Sequence, residues 1–135
     1  MSSTGTSLTQ EDRRILEDRN FAHLATVSAD GWPQSTAVWV DVEDGLILVN
    51  SAEGRRKVAN VRRDPRVSLS VTDAKDPYRM LAIRGRVVEV THEDARDHID
   101  KMAKKYRGRD RYDAPAGQVR VLLKIRPERV YRYGY

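Results

Sequence analysis

The chain has no cysteine among its 135 residues. This absence excludes a disulfide framework, a thiolate metal site and a cysteine nucleophile. No apolar run approaches the length of a membrane span, and the N-terminus carries no apolar stretch of signal-peptide type. We therefore expect a cytoplasmic protein with no membrane partner.

Several catalytic motifs are also missing. There is no GxGxxG and no GxxxxGK[ST], which excludes the Rossmann and P-loop nucleotide sites. The three histidines, His23, His92 and His98, have no zinc-type spacing, so no metal site is predicted. No catalytic triad and no carboxylate pair aimed into a cleft can be identified. If the protein is an enzyme, its reactive chemistry therefore belongs to a cofactor.

Aromatic residues make up only 7% of the chain, whereas its formal net charge is +5. The positive charge favours an anionic partner, which could be a phosphorylated cofactor, a nucleic acid or an acidic surface. A stacking platform for single-stranded nucleic acid would place aromatics among the cations of a strand pair. Here the tyrosines lie mostly near the C-terminus, so no nucleic-acid partner is predicted, and a basic nucleic-acid-binding barrel stays as an alternative.

Alternating apolar and polar residues predict a mainly β chain forming one domain over residues 1–135, with residues 1–7 disordered. Tight turns at 30–31 and 43–45 predict a three-stranded antiparallel meander. Gly85 predicts a bulge, and Pro127 ends the last strand. The first predicted strand begins at Phe21, and five more span residues 35–42, 46–49, 66–72, 78–90 and 119–125. The predicted helices span residues 9–20, 55–63 and 95–106. A small antiparallel barrel accommodates this order.

One stretch, Leu46–Arg63, combines a buried strand, a short polar corner and a helix that begins with three cations. The first N–H groups of such a helix lack partners, and the helix dipole adds positive charge at the same end. We interpret this corner as a grip for the phosphate of a flavin-like cofactor. The alternative, an ordinary solvated helix face, stays open from this segment alone.

Four blocks of the sequence, in this order and with these gaps, resemble the flavin and deazaflavin oxidoreductases with the split β-barrel of pyridoxamine 5'-phosphate oxidase. The blocks are LATVSADGWPQSTAVWV (24–40), LILVNSAEGRRKVANVRRDPRVSLSV (46–71), DPYRMLAIRGRVVEV (76–90) and the helix-forming run 95–106. The stronger likeness is to the branch that uses coenzyme F420.

The resemblance implies a split β-barrel of FMN-binding type that forms a homodimer, with a cofactor site in each groove between subunits. It implies that one group of residues faces the phosphate and side chain of the cofactor: Asn50, Ser51, Arg55, Arg56 and Lys57. A second group would border the ring system: Gln34, Ser35, Thr36 and Val38. Tyr78 and Arg79 would come from the second subunit.

The implied activity is hydride exchange between F420 and a small unsaturated or oxidised substrate, with no covalent catalytic residue. The basic excess favours F420 over FMN, because F420 carries a phosphodiester and a tail of glutamates. Two alternatives remain: an FMN enzyme of the oxidase type, and a non-catalytic protein that binds flavin, F420 or haem. The sequence predicts neither the substrate nor its proton donor.

Overall fold

The computed structural model describes residues 2–135, which contain eight strands and three helices. Met1, the first residue of the segment predicted to be disordered, lies outside this range. The elements are β1 (Ser2–Gly5), α1 (Gln10–Glu17), β2 (Ala22–Val27), β3 (Pro33–Val38), β4 (Asp41–Glu43), β5 (Leu46–Ala52), α2 (Arg56–Arg63), β6 (Arg66–Thr72), β7 (Met80–Thr91), α3 (Ala95–Arg107) and β8 (Arg120–Tyr133). The predicted mainly β fold is confirmed.

All the strands belong to one antiparallel sheet with the order β3-β2-β6-β7-β8-β5-β4, and β1 pairs with the far end of β8. The two edge strands, β3 and β4, are consecutive in the chain and are separated only by Trp39 and Val40. The three Cα–Cα steps from Val38 to Asp41 span only about 11 Å even when extended. The sheet must therefore curl until its edges meet, which produces a barrel that is split between β3 and β4.

The predicted meander is wrong at this split. Residues 35–42 were expected to form one strand, but β3 pairs with β2 and β4 pairs with β5. The strand breaks because α3 supplies the hydrogen bonds of Val40: its N–H donates to Tyr106 Oη at 3.1 Å, and its carbonyl accepts from Lys105 Nζ at 2.8 Å. A backbone served by side chains needs no neighbouring strand.

The barrel interior is filled by aliphatic side chains that alternate along the strands, such as Leu24, Ile47, Leu69, Ile83 and Leu123. Helix α1 adds Ile15 and Leu16 to this core, and α2 adds Val58 and Val61. None of the three helices in residues 2–135 combines the length and apolar character that crossing a membrane requires.

The predicted bulge at Gly85 is confirmed by a register shift between Arg84 and Gly85. The prediction that Pro127 ends the last strand is wrong, because β8 continues to Tyr133 with Pro127 opposite Gly85. Proline has no N–H to donate, and it is tolerated where the ladder is already irregular.

The N-terminal segment also differs from its prediction. Residues 2–5 form β1, which pairs with Val130–Tyr133 of β8 instead of lying disordered. Its small polar residues show no apolar alternation, so no strand was predicted there. Pairing with β8 holds this segment in place. The Arg132 guanidinium on β8 also donates to the carbonyl oxygen of Ser7, just after β1, at 3.1 Å.

Candidate functional site

The corner between β5 and α2 has the structure that its sequence predicts. Ile47, Leu48 and Val49 are buried, β5 ends at Ala52, and α2 begins at Arg56. Gly54 makes the turn with a φ of 88°, a backbone conformation that residues with a side chain rarely adopt. The side chain of the preceding Arg55 makes no capping hydrogen bond. The N-terminal end of α2 therefore keeps its positive dipole uncompensated by a cap.

A cavity of about 250 Å³ opens beside this corner. One part of its wall is apolar and aromatic, and the other part is polar and cationic. Its lining residues are Phe21, Ala37, Val38, Trp39, Asn50, Ser51, Arg55, Lys57, Ile99, Arg107, Tyr112 and Arg120. Four of them are cations and none carries a carboxylate. We refer to this space as the cationic cavity.

The charges in the cationic cavity are crowded. Burial lowers the pKa of Lys57 below its ordinary value, and the neighbouring Arg55 and Arg120 lower it further. Burial likewise lowers the pKa of Arg120, with Arg55 among the groups that add to the effect. Like charges held this close destabilise one another, and an anion between them would relieve that repulsion.

The polar residues of β5 complete the cationic wall. Ser51 is 3% exposed, and its hydroxyl has no hydrogen-bond partner among the described residues. A buried hydroxyl without a partner is uncommon in folded proteins and calls for an explanation. Asn50 accepts a hydrogen bond from Arg120 Nε at 3.0 Å, which ties β5 to β8 at the cavity.

The aromatic wall is built around Trp39, which lies at the split between β3 and β4. The Trp39 ring stacks on Tyr106 with centroids 5.2 Å apart and planes 5° from parallel, and it meets Tyr112 edge-on at 6.1 Å. The Arg107 guanidinium lies 5.3 Å from the centre of the Trp39 ring. Aromatic stacking of this kind gives a rigid, water-excluding surface next to the cations.

Sequence reasoning missed much of this wall. The missed residues come from separate parts of the chain: Phe21, Trp39, Arg107, Tyr112 and Arg120. The only signal available was the placement of Trp39 beside Val38 in a strand already assigned to the site. No local pattern indicated Arg120, because its role depends on the pairing of β8 with β5.

The structure brings five of the predicted residues together at the cationic cavity: Val38, Asn50, Ser51, Arg55 and Lys57. Arg56 lies elsewhere, in a surface depression that it shares with Asp30, Asn60 and Arg63.

Three predicted residues on β3 do not line the cationic cavity. Gln34, Ser35 and Thr36 pair with Thr26, Ala25 and Leu24 of β2. The Gln34 amide oxygen accepts from Asn60 Nδ2 at 3.3 Å. Their assignment to the ring of a cofactor stays a prediction.

Tyr78 and Arg79 also lie outside the cavity within one chain. Tyr78 is 86% exposed, and Arg79 forms ion pairs with Glu11 and Asp73. Their predicted contribution to the site of a second subunit stays a prediction.

A second cavity, of about 290 Å³, has a different character. It is lined by Lys101 and Lys124, but also by Glu43, Asp44, Asp94 and Asp97, with His98 between them. Its mixed charges give no net attraction for an anion, so the cationic cavity is the better candidate for a phosphorylated ligand. Residues 2–135 contain no cluster of three or more metal-ligating His, Cys, Asp or Glu side chains.

Comparison with known proteins gives consistent matches. The sequence model of the family described as pyridoxamine 5'-phosphate oxidase matches residues 8–134. An F420H(2)-dependent biliverdin reductase of Mycobacterium tuberculosis is 29% identical over 133 residues, which are 96% of this chain and 91% of that protein. A solved structure named F420 reductase superposes with a TM-score of 0.81 and 29% identity, over 91% of this chain and 98% of its own. A Listeria innocua structure, provisionally described as a pyridoxamine 5'-phosphate oxidase, has a TM-score of 0.64 and 25% identity over 87% of this chain and 90% of its own.

Proposed function

This chain belongs to the pyridoxamine 5'-phosphate oxidase family, and from that premise we propose that it is an oxidoreductase that binds the deazaflavin coenzyme F420. The observation that carries the proposal is the cationic cavity, where four cations meet without a carboxylate. Two similar proteins are named for F420, one as a biliverdin reductase and one as a reductase. The substrate proposed here is a small unsaturated or oxidised molecule.

The lining residues fit an anionic cofactor. Arg55 and Lys57, next to the N-terminal end of α2, would hold the phosphate, with the unpartnered Ser51 hydroxyl as a further donor. Arg120 and Arg107 extend the positive surface for the additional negative charges of F420. FMN offers a single terminal phosphate to the same four cations, so charge matching favours F420.

When bound, F420 supplies hydride transfer, which requires no covalent nucleophile from the protein. The chain's own contribution is then positioning. The cations fix the anionic end of the ligand, and the Trp39 and Tyr112 rings exclude water from the adjoining surface. Holding cofactor and substrate in one site replaces a bimolecular encounter with a nearly intramolecular step.

The proposal extends to the assembly. We propose a homodimer in which Tyr78 and Arg79 of one subunit reach the cofactor site of the other. The 86% exposure of the Tyr78 side chain supports this, since a large ring left in solvent is available to a partner. We also propose a cytoplasmic location, where reduced cofactors are available.

The test is a titration of the purified protein with F420 and, separately, with FMN, in which the fluorescence of the cofactor is measured. Replacing Lys57 with Ala removes a charge-assisted contact, so we expect the dissociation constant for the preferred cofactor to rise at least ~10-fold, about 1.4 kcal/mol. Lys75→Ala is the matched control, because the Lys75 side chain is 82% exposed and lies outside the cavity. Its dissociation constant should equal that of the wild type.

Each outcome separates the alternatives. A yellow purified protein that binds FMN in preference to F420 would identify an FMN enzyme. Tight F420 binding without turnover of any acceptor would identify a non-catalytic binder. An unchanged dissociation constant in Lys57→Ala would remove Lys57 from the site, and a flat titration with both cofactors would contradict the proposal as a whole.

A further inference from the structure

His98 connects the cationic cavity to a buried carboxylate. It lies on α3 with 8% of its surface exposed. Its Nε2 is 3.0 Å from Asp41 Oδ2 on β4, and its Nδ1 is 3.1 Å from Asn50 Nδ2 on β5. Asn50 in turn bonds Arg120 on β8. Four elements therefore meet in one chain of hydrogen bonds that ends at the cavity wall.

The direction of every bond in this chain follows from groups with fixed roles. Asn50 Nδ2 lies 2.7 Å from the Ala95 carbonyl oxygen, which can only accept, and Asn50 Oδ1 lies 3.0 Å from Arg120 Nε, which can only donate. The amide therefore has one possible orientation. Its second N–H points at His98 Nδ1, which must accept, so the ring proton is on Nε2 and is donated to Asp41.

Asp41 is the last acceptor in this series of hydrogen bonds, and it is a carboxylate. Burial raises its pKa, but hydrogen bonds from His98, the Val42 N–H and Lys101 outweigh burial and bring the pKa to about 2. All the donors along the chain point from Arg120 towards this negative charge. Hydrogen bonds aligned in one direction polarise and strengthen one another.

Arg120 is held at the near end on two sides. Its Nε donates to Asn50 and its Nη1 donates to Gln118 at 3.0 Å, while the guanidinium lies 4.9 Å from the centre of the Tyr112 ring. Its hydrogen bonds to Asn50 and Gln118 use Nε and Nη1 and leave Nη2 for other partners. A guanidinium fixed in this way keeps donors available for an anion in the cavity that it lines.

We propose that His98 is a positioning residue for the cationic cavity. By accepting from Asn50 and donating to Asp41, it acts together with the Ala95 carbonyl to hold the Asn50 amide in place, and Asn50 in turn holds Arg120 ready for the anionic part of the ligand. For the identity of that ligand, the inference rests on the proposed function. Residues that hydrogen-bond to a ligand-binding group, without touching the ligand themselves, commonly influence the affinity for that ligand.

The test begins without cofactor, by a long-range ¹H–¹⁵N correlation of the imidazole nitrogens in the wild-type protein near pH 7.5. With only three histidines in the chain, single substitutions at His23 and His92 assign the spectrum. We expect His98 to carry its proton on Nε2, with Nδ1 bare. A protonated Nδ1 would overturn the inference whether or not any cofactor binds.

The second arm measures affinity for F420 and for inorganic pyrophosphate in three variants. His98→Phe keeps the ring volume but loses the acceptor, so we expect dissociation constants to rise about five- to tenfold for both probes. His98→Asn places an amide oxygen near the position of Nδ1, and we expect it to stay within about twofold of the wild type. His92→Gln is the control, since the His92 side chain is 60% exposed and outside the cavity, and a glutamine amide can still donate to Glu53.

Rescue by His98→Asn is the result that a purely structural role does not produce. Equal affinities for wild type and a folded His98→Phe variant would overturn the positioning role, as would equal losses in His98→Phe and His98→Asn. Failure of the wild type to bind F420 or FMN is a separate result: it contradicts the proposed function, whereas pyrophosphate and the tautomer still decide the role of His98.

Discussion

At the scale of single residues, Asp12 has the most demanding environment in the fold. Its side chain is fully buried, and it accepts from Arg132 Nε at 2.9 Å, from Tyr135 Oη at 2.7 Å and from the Thr9 N–H at 2.8 Å. Burial alone would raise the pKa of Asp12, but Arg132 and the other donors lower it. One carboxylate thus caps α1 and ties it to the end of β8.

Replacing Asp12 with Ala would leave Arg132 buried without its counter-charge. We expect this variant to lose about 3–5 kcal/mol of its free energy of unfolding, measured by urea denaturation. Glu17→Ala, an exposed position on the same helix, should change it by about 0.5 kcal/mol or less. Equal stability of Asp12→Ala and the wild type would contradict the role assigned to this ion pair.

Some residues of the candidate site are neighbours in the sequence, and others reach it only through tertiary contacts. Asn50, Ser51, Arg55 and Lys57 follow one another along a single strand–helix corner, so the family resemblance predicted them together. Arg120 reaches the same cavity only through the pairing of distant strands, and Asn50 reaches His98 through the packing of α3 on β5. Such contacts are set by tertiary structure and leave no periodic pattern in the chain.

At the scale of elements, the bulge at Gly85 interrupts the ladder between β7 and β8. Gly85 lies against the neighbouring strand so closely that an added Cβ would be 2.5 Å from the Arg126 carbonyl oxygen. Because the obstacle is backbone, it cannot move aside as a flexible side chain would. Pro127 lies directly opposite, and both residues suit a ladder that is interrupted here.

We therefore expect Gly85→Ala to be destabilised by about 1–3 kcal/mol, with the loss measured by thermal or urea unfolding. Glu89→Ala, an exposed position on the same strand, should cost about 1 kcal/mol or less. A Gly85→Ala variant as stable as the wild type would show that the two strands can separate at this point without cost.

Elements with their own apolar period were predictable, and elements defined by a partner were not. Helices α1, α2 and α3 and strands β5 and β6 lie within a few residues of their predicted spans. The separation of β3 from β4 was missed because it depends on Lys105 and Tyr106, about 65 residues further along the chain. Strand β1 was missed because only β8 defines it.

At the scale of the whole molecule, the free energy of unfolding depends on pH through Asp41, which lies on β4 at the split of the barrel. The pKa of Asp41 is about 2, whereas its ordinary value is 3.8. A carboxylate whose pKa is lowered on folding stabilises the folded state fully above pH 3.8, and that stabilisation is lost as the pH falls towards 2. The difference corresponds to about 2 kcal/mol.

Urea unfolding between pH 7 and pH 2 tests this coupling. We expect the free energy of unfolding to be nearly level above pH 5 and to fall steeply below pH 4, with Asp12 adding to the decrease because its pKa is also lowered. Asp41→Asn should be less stable at pH 7 and should show a shallower decrease below pH 4. An identical acid dependence in both proteins would contradict the assignment to Asp41.

We propose that the cationic cavity holds the phosphate of a redox cofactor. The most direct measurement is a crystal structure of the protein grown with F420. We predict that the phosphodiester lies between Arg55 and Lys57, in contact with the Ser51 hydroxyl, with the further negative charges of F420 facing Arg120 and Arg107. A well-ordered structure with F420 bound elsewhere, or with the cationic cavity filled only by solvent at saturating F420, would contradict it.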